Sequence, residues 1–158
     1  SGNTQMIEKA AAAQTARIGT QTGLSDWVTI DQARIDVFAE ITDDPQWIHT
    51  DPVRAAAETP FGGTIAHGFL TLSMASKFAI ETFTKFDGQT MGINYGFNKV
   101  RFLSPVLSGD RIRGRFKLNS VLQKSATQLL QEHELTIEIE GKETPALICQ
   151  WLGMAVFD

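Results

Sequence analysis

The segment HGFLTLSMASKFAIETFTKF, residues 67–86, decides the fold that the sequence predicts. Its apolar residues fall almost all round a helix rather than along one stripe, and a helix that is apolar on most faces is a buried one. The Pro/Gly-rich segment PFGGT, residues 60–64, marks a loop before it. The sequence therefore predicts a central helix that the rest of the domain encloses.

The chain after this helix changes to β-rich segments separated by turn signals. The segments are GINYGFNKVRFLSPV (92–106), DRIRGRFKLNSVLQ (110–123), ATQLLQEHELTIEIE (126–140) and TPALICQWLGMAVF (144–157). Four successive strands with short connections form an antiparallel meander. The predicted fold class is therefore α+β, with a curved antiparallel sheet wrapped around a long central helix.

The region before the central helix predicts shorter elements. Residues 1–23, rich in Ala, Gln and Thr, predict an N-terminal arm, either mobile or packed as a short helix, and residues 24–158 predict one domain. Asp31 is the expected N-cap of a helix, and Asp51 followed by Pro52 is a favoured start for another.

The composition excludes several classes of function. A formal net charge of −4 argues against nucleic acid as a partner, because duplex binding draws on clustered Lys and Arg. No apolar run approaches the roughly 18 residues of a membrane span. Cys149 is the only cysteine, so an intrachain disulfide is impossible and a reducing cytoplasm is the expected location.

The segment FAEITDDPQWIHTDP, residues 38–52, gathers polar groups in a connector between helices. Asp44 and His49 lie five positions apart, and Pro45 bends the chain so that the two side chains could converge. A carboxylate and an imidazole that share one water can perform general acid/base catalysis near neutral pH. The alternative is that the aspartate caps a turn and His49 is a loop histidine without a catalytic role.

A second candidate feature is the start of the central helix at Gly68. Backbone N–H groups in a first helical turn have no intrahelical partner, and they can stabilise a developing oxyanion. The alternative is that the glycines near this position only form a tight turn. The histidines show no HxxxH or CxxC spacing, so no metal is expected, and His133, between Glu132 and Glu134, is expected on an exposed strand face.

The two segments together resemble the MaoC-like branch of the hot-dog superfamily, the (R)-specific enoyl-CoA hydratases, and especially its nodulation-protein-N-like members. The residues that match the first family motif are Phe38, Thr42, Asp44, Ile48, His49, Asp51 and Pro52. IAHGFLTLS, residues 65–73, is similar to the second motif, and YGFNKVRFLSPVLSGD, residues 95–110, is similar to a later strand and turn.

The resemblance implies a hot-dog fold and a reaction. It implies that Asp44 and His49 form a catalytic dyad, that the Gly68 N–H binds the thioester oxygen, and that Ser76 steadies Asp44. The implied reaction is reversible hydration of trans-2-enoyl-CoA to (R)-3-hydroxyacyl-CoA without a metal or redox cofactor. The implied assembly is a homodimer, which would also protect the edge strands of a single sheet.

The sequence departs from the family motif at three positions. Asp43 replaces a glycine, Gln46 an asparagine and Trp47 a proline. Gln46 keeps an amide that can support the dyad, whereas Trp47 is expected to reshape the acyl pocket. Trp47, His67 and Phe69 are the residues expected to line that pocket. Two other functions stay open, namely an acyl-CoA thioesterase on the same fold and a non-catalytic acyl-CoA-binding module.

Overall fold

The computed structural model describes residues 2–158, with side chains from residue 5 onwards. The helices are α1 (Gly2–Thr15), α2 (Gln32–Ile41), α3 (Trp47–Thr50), α4 (Pro52–Glu58), α5 (Gly68–Ser73) and α6 (Ala75–Thr82). The strands are β1 (Gln21–Leu24), β2 (Val28–Thr29), β3 (Gln89–Phe102), β4 (Arg111–Gln123), β5 (Gln128–Ile139) and β6 (Leu147–Phe157). None of the described helices has the length and apolar character that crossing a membrane requires.

The strands form one antiparallel sheet in the order β1-β4-β5-β6-β3, with β2 also paired to β4. The predicted meander is therefore wrong at its first strand, because β3 pairs with β6 instead of β4. One edge of β4 pairs with β5, and the other edge pairs with β1 and β2. No edge of β4 is therefore left for β3. Within the described residues β3 is an edge strand that pairs on one side only.

The central helical segment packs against the sheet on one side, but the prediction that the domain encloses it is wrong for the single chain, because Phe69 and Ile80 are 71% and 82% exposed. Phe78 of α6 is fully buried, and burial of such a side chain contributes about 1.5–3 kcal/mol. Gly114 of β4 allows this close packing, since a Cβ at that position would lie 2.8 Å from the Phe78 ring. The sheet side of the same core includes Phe116, Leu135, Ile137 and Cys149.

The predicted long helix is interrupted at Met74 and ends at Thr82 instead of Phe86. The Ser73 hydroxyl donates to the Phe69 carbonyl at 2.6 Å, and such back-bonding bends helices. The Met74 N–H donates to both Leu70 and Thr71 carbonyls at 3.2 Å, which tightens the turn. These local bonds explain why two shorter helices replace one.

The N-terminal helix α1 shares a core with the sheet. Ile7 is fully buried, and it packs in a cluster with Leu129 and Phe157. Gln14 donates a 2.7 Å hydrogen bond to the Gln131 side chain on β5. The boundary predicted between residues 23 and 24 therefore falls inside β1, with packed structure on both sides.

His133 does not lie on an exposed face, so that prediction is wrong. The side chain is 6% exposed, and the ring lies 4.7 Å from the ring of Phe83 between centroids. Side chains alternate along a strand, so the more exposed Glu132 and Glu134 occupy the opposite face. The two flanking glutamates therefore indicate that their own face of β5 is exposed, and they carry no information about the face on which His133 lies.

Candidate active site

The His49 side chain is held in one orientation by the loop that precedes α5. It lies in α3, is buried, and its Nδ1 lies 2.6 Å from the Ile65 carbonyl oxygen. A carbonyl only accepts, so Nδ1 carries the proton and Nε2 is left as the basic nitrogen. Burial is the largest influence on the pKa of His49 and lowers it from the usual 6.5, although the Ile65 hydrogen bond opposes this.

Asp44 reaches the same place through a tight turn after α2. Asp43 has a φ of 55°, in the left-handed region, which aspartate tolerates better than most residues. The Asp44 N–H donates to the Ala39 carbonyl at 3.0 Å. The carboxylate of Asp44 lies within 4.8 Å of a ring nitrogen of His49, a separation that one bridging water can span.

His67 connects these two residues. Its ring stacks on that of His49 with centroids 3.8 Å apart, and its Nε2–H donates to the Asp44 carbonyl at 3.0 Å. The Asp44 carboxylate is 3.8 Å from the same nitrogen, and Phe38 contacts the His67 ring at a centroid distance of 5.0 Å. The structure therefore places His67 beside the Asp44/His49 pair, whereas the sequence suggested only a pocket residue.

Gln32 is a further positioning residue that sequence reasoning missed. Its amide nitrogen donates to the His49 carbonyl at 2.7 Å, and its amide oxygen accepts from the Thr64 hydroxyl. One side chain thereby joins α3 to the loop before α5. The sequence carries no signal for this role, because a glutamine near a helix start is ordinarily exposed.

Gly68 follows His67 directly and begins α5. Its N–H has no acceptor among the described residues, and a Cβ at this position would lie 2.9 Å from the Phe102 ring. The glycine borders a cavity of about 270 Å³ that Thr71 and Phe102 also line. A free backbone donor therefore stands next to the histidine pair, at a place where a side chain would collide with Phe102.

The residues that the sequence suggests as supports of the dyad, and Trp47, do not gather around Asp44 and His49. Ser76 lies on α6 and makes no hydrogen bond with Asp44 in the described part of the chain, so the predicted contact is absent. Gln46 has an exposed side chain, and its carbonyl accepts from the His49 N–H at 3.0 Å. The Trp47 ring is covered by the Arg54 guanidinium at 4.0 Å.

Phe69 is the remaining residue predicted to line the pocket. Its side chain is 71% exposed in the single chain and meets the Phe102 ring edge-on, with centroids 6.5 Å apart. It therefore stands at the open side of the Gly68 region instead of inside an enclosed pocket.

Asp44, His49 and His67 also form a set of potential metal ligands, because one donor atom from each lies within 4.8 Å of the others. One carboxylate and two imidazoles are a donor set known from zinc and iron sites. However, imidazole binds metal in the plane of its ring, and the two rings here stack at 22°. Stacked rings direct their nitrogens side by side, which does not favour convergence on one ion.

Comparison with known proteins places this chain in a family. The model of the MaoC-like domain matches residues 13–139. The chain is 49% identical over 153 residues to nodulation protein N of Rhizobium leguminosarum bv. viciae, across 97% of this chain and 95% of the relative. It is 44% identical over 135 residues to 3-hydroxyacyl-thioester dehydratase Z of Mycobacterium tuberculosis strain H37Rv, across 85% and 88%.

Solved structures show the same fold. R-hydratase PhaJ1 from Pseudomonas aeruginosa matches with a TM-score of 0.69 at 25% identity, covering 89% of this chain and 83% of that chain. The (R)-hydratase from A. caviae matches with a TM-score of 0.70 at 20% identity, over 86% and 94%. The predicted hot-dog fold is confirmed, and this chain belongs to the MaoC-like dehydratase family.

Proposed function

We propose that this protein catalyses the reversible, (R)-specific hydration of trans-2-enoyl-CoA to (R)-3-hydroxyacyl-CoA. The observation that carries the proposal is the arrangement of His49, whose Nδ1–H is bound to the Ile65 carbonyl at 2.6 Å. Its Nε2 is therefore free to accept a proton, and the Asp44 carboxylate lies within 4.8 Å of a nitrogen of the same ring. The similarity to a thioester dehydratase and to an (R)-hydratase supports this class of reaction.

In the hydration direction, a water held between Asp44 and His49 loses a proton to this pair as its oxygen attacks C3 of the enoyl thioester. The electron pair of the C2–C3 double bond moves towards the thioester carbonyl, whose oxygen gains negative charge. The Gly68 N–H donates to that oxygen. The same acid/base pair then protonates C2, so the product contains one added water and the pair returns to its starting state.

The low pKa of His49 suits the role of base. Burial favours the neutral ring, and a neutral imidazole can take a proton at physiological pH. The stack with His67 and the bond to Ile65 hold the ring in one orientation. A water bound to this ring would add to one face of the double bond, so we expect a single product enantiomer.

We further propose that the protein is a homodimer joined through β3. This strand is 14 residues long and pairs on one side only within the described chain. Met91, Ile93 and Tyr95 are 51%, 46% and 51% exposed on it. Long apolar edge strands are usually paired or covered in native proteins, and a second copy of β3 supplies both a strand and an apolar surface.

The proposed reaction is tested with crotonyl-CoA and a longer trans-2-enoyl-CoA. Loss of the enoyl-thioester absorbance, with the (R)-3-hydroxy product and no free thiol, supports the hydratase. Release of free thiol from acyl-CoA would instead favour a thioesterase. Binding of the CoA esters without turnover would favour a non-catalytic module.

A further inference from the structure

The side chain of Gln32 makes hydrogen bonds in three directions. Gln32 follows the N-cap Asp31 and begins α2, and its side chain is partly buried. Its amide nitrogen donates to the His49 carbonyl at 2.7 Å and to the Asp36 carboxylate at 2.9 Å, and its amide oxygen accepts from the Thr64 hydroxyl. Both N–H groups of the amide therefore have acceptors. A reversed amide would turn its oxygen towards two acceptors, so the chemistry of the partners fixes one orientation.

The loop before α5 also binds α3 directly. The Ile65 N–H donates to the Ile48 carbonyl at 3.1 Å, and the Ile65 carbonyl accepts from the His49 Nδ1–H at 2.6 Å. Thr64 precedes Ile65 in this loop and is 2% exposed. Gln32 joins Thr64 to the His49 carbonyl. The same histidine is therefore tied to the loop twice, through its ring by Ile65 and through its backbone by Gln32.

Removal of the Gln32 amide would disturb this double attachment. The buried Thr64 hydroxyl would lose its acceptor, and the His49 carbonyl would lose a donor. Buried polar groups are nearly always hydrogen-bonded in native proteins, so α3 and the loop would have to shift to admit water or to reach other partners. Either shift changes the distance between the Ile65 carbonyl and the His49 ring. The hydrogen bond of the ring thus depends on a side chain that binds the backbone of the same histidine.

The proton of the neutral His49 ring can lie on either nitrogen. The hydrogen bond made by one nitrogen decides which of the two carries the proton, and for His49 the Ile65 carbonyl favours Nδ1. The ionisable groups beside the ring are Asp44 and His67, and a substitution of Gln32 leaves both side chains intact. A changed His49 tautomer in a Gln32 variant would therefore report the loss of the Ile65 contact.

We propose that Gln32 keeps His49 in its Nδ1–H form, with Nε2 as the basic nitrogen, by holding the loop at Thr64 against α3. Gln32 is thus a positioning residue, because it acts on the ring through the loop and the Ile65 carbonyl. Its effect on turnover rests on the proposed hydratase function. Its effect on the His49 tautomer does not, and the two effects are measured separately.

The test reads the tautomer from the nitrogen NMR chemical shifts of the His49 imidazole in the full-length protein, at a pH where the ring is neutral. Wild type is expected to show a protonated Nδ1 and an unprotonated Nε2. Gln32→Leu keeps a side chain of similar size without the amide, and it should give a mixture of the two tautomers. Its kcat for crotonyl-CoA should fall by about tenfold, with little change in KM. Gln123→Leu makes the same change at an exposed glutamine of β4 and, as the matched control, should keep the wild-type tautomer and kcat.

Thr64 provides a second, independent arm of the test, which decides the matter if Gln32→Leu does not fold. Thr64→Val removes the hydroxyl with little change of shape and should reproduce both effects. Thr64→Ser keeps the hydroxyl and should recover most of the wild-type tautomer and kcat. The double variant Gln32→Leu/Thr64→Val should be no more impaired than Gln32→Leu alone, because the two side chains act through one hydrogen bond.

Three results would overturn the proposal. One is a folded Gln32→Leu or Thr64→Val protein in which His49 keeps the wild-type tautomer. Another is a wild-type His49 with its proton on Nε2. The third is an additive loss in the double variant, which would show that Gln32 and Thr64 act separately. The NMR comparison needs no turnover, so an inactive wild type would contradict the proposed hydratase while the tautomers still decide the role of Gln32.

Discussion

The rings of His49 and His67 stack with their centroids 3.8 Å apart and their planes at 22°. His67 also donates its Nε2–H to the Asp44 carbonyl at 3.0 Å. The His67 side chain thus packs against the ring of His49 and also holds the backbone of Asp44. His67 therefore joins Asp44 and His49 through contacts that their five-residue spacing does not reveal.

Replacement of His67 by Phe tests this positioning role. Phe keeps an aromatic ring against His49 but cannot donate to the Asp44 carbonyl. We expect kcat to fall by up to about 10²-fold, because small displacements of catalytic groups are costly, while KM and the unfolding free energy change little. His67→Gln, which retains an N–H donor, should recover part of kcat. A His67→Phe enzyme with wild-type kcat would contradict the role.

The pH dependence follows from the direction of the His49 pKa. Burial lowers this pKa from 6.5, so the neutral, basic ring persists below that pH and is lost only as the pH falls through the lowered value. We therefore expect the acid limb of kcat/KM for an enoyl-CoA to be centred below pH 6.5. An acid limb centred above the ordinary histidine pKa would contradict the proposed base.

Chelation tests whether Asp44, His49 and His67 act through a metal. The stacked imidazoles do not direct their nitrogens to one point, so we expect prolonged dialysis against EDTA to leave the hydration rate unchanged. Elemental analysis of the active protein should find no stoichiometric zinc or iron. Loss of activity on chelation, with recovery on adding one metal, would instead identify a metal-dependent site.

The dimer is tested on the exposed edge of β3. Met91→Glu combined with Tyr95→Glu places charges on the proposed interface, and desolvation of unpaired charges opposes association. We expect light scattering to give a dimer for wild type and a monomer for this variant. Val53→Glu, at an 82% exposed apolar position on α4, should remain a dimer. A monomeric wild type at micromolar concentration would exclude the proposed assembly.

Local sequence signals predicted the elements around the site well. Asp31 and Asp51 cap α2 and α4 as expected, since each side chain accepts from the N–H three residues later. The replacement of the motif's glycine by Asp43 is also understandable, because its φ of 55° is accessible to aspartate. These features depend on a few neighbouring residues.

Features that depend on distant contacts were not predictable in this way. The pairing of β3 with β6 is determined by which strand edges are free, and the roles of Gln32 and His67 arise from contacts across the fold. His133 was placed on the wrong face because its flanking glutamates dominated the pattern. The resemblance predicts that Ser76 contacts Asp44, yet Ser76 lies on α6 and makes no hydrogen bond with Asp44 in the described part of the chain.

The most direct measurement of the central claim is the hydration rate of crotonyl-CoA by four proteins. These are wild type, Asp44→Asn, His49→Gln and, as the matched control, Asp43→Asn, which removes the adjacent carboxylate. We expect the Asp44 and His49 variants to lose on the order of 10²–10⁴-fold in kcat/KM, and Asp43→Asn to stay near wild type. Full activity in correctly folded Asp44→Asn, or an equal loss in Asp43→Asn, would contradict the assignment.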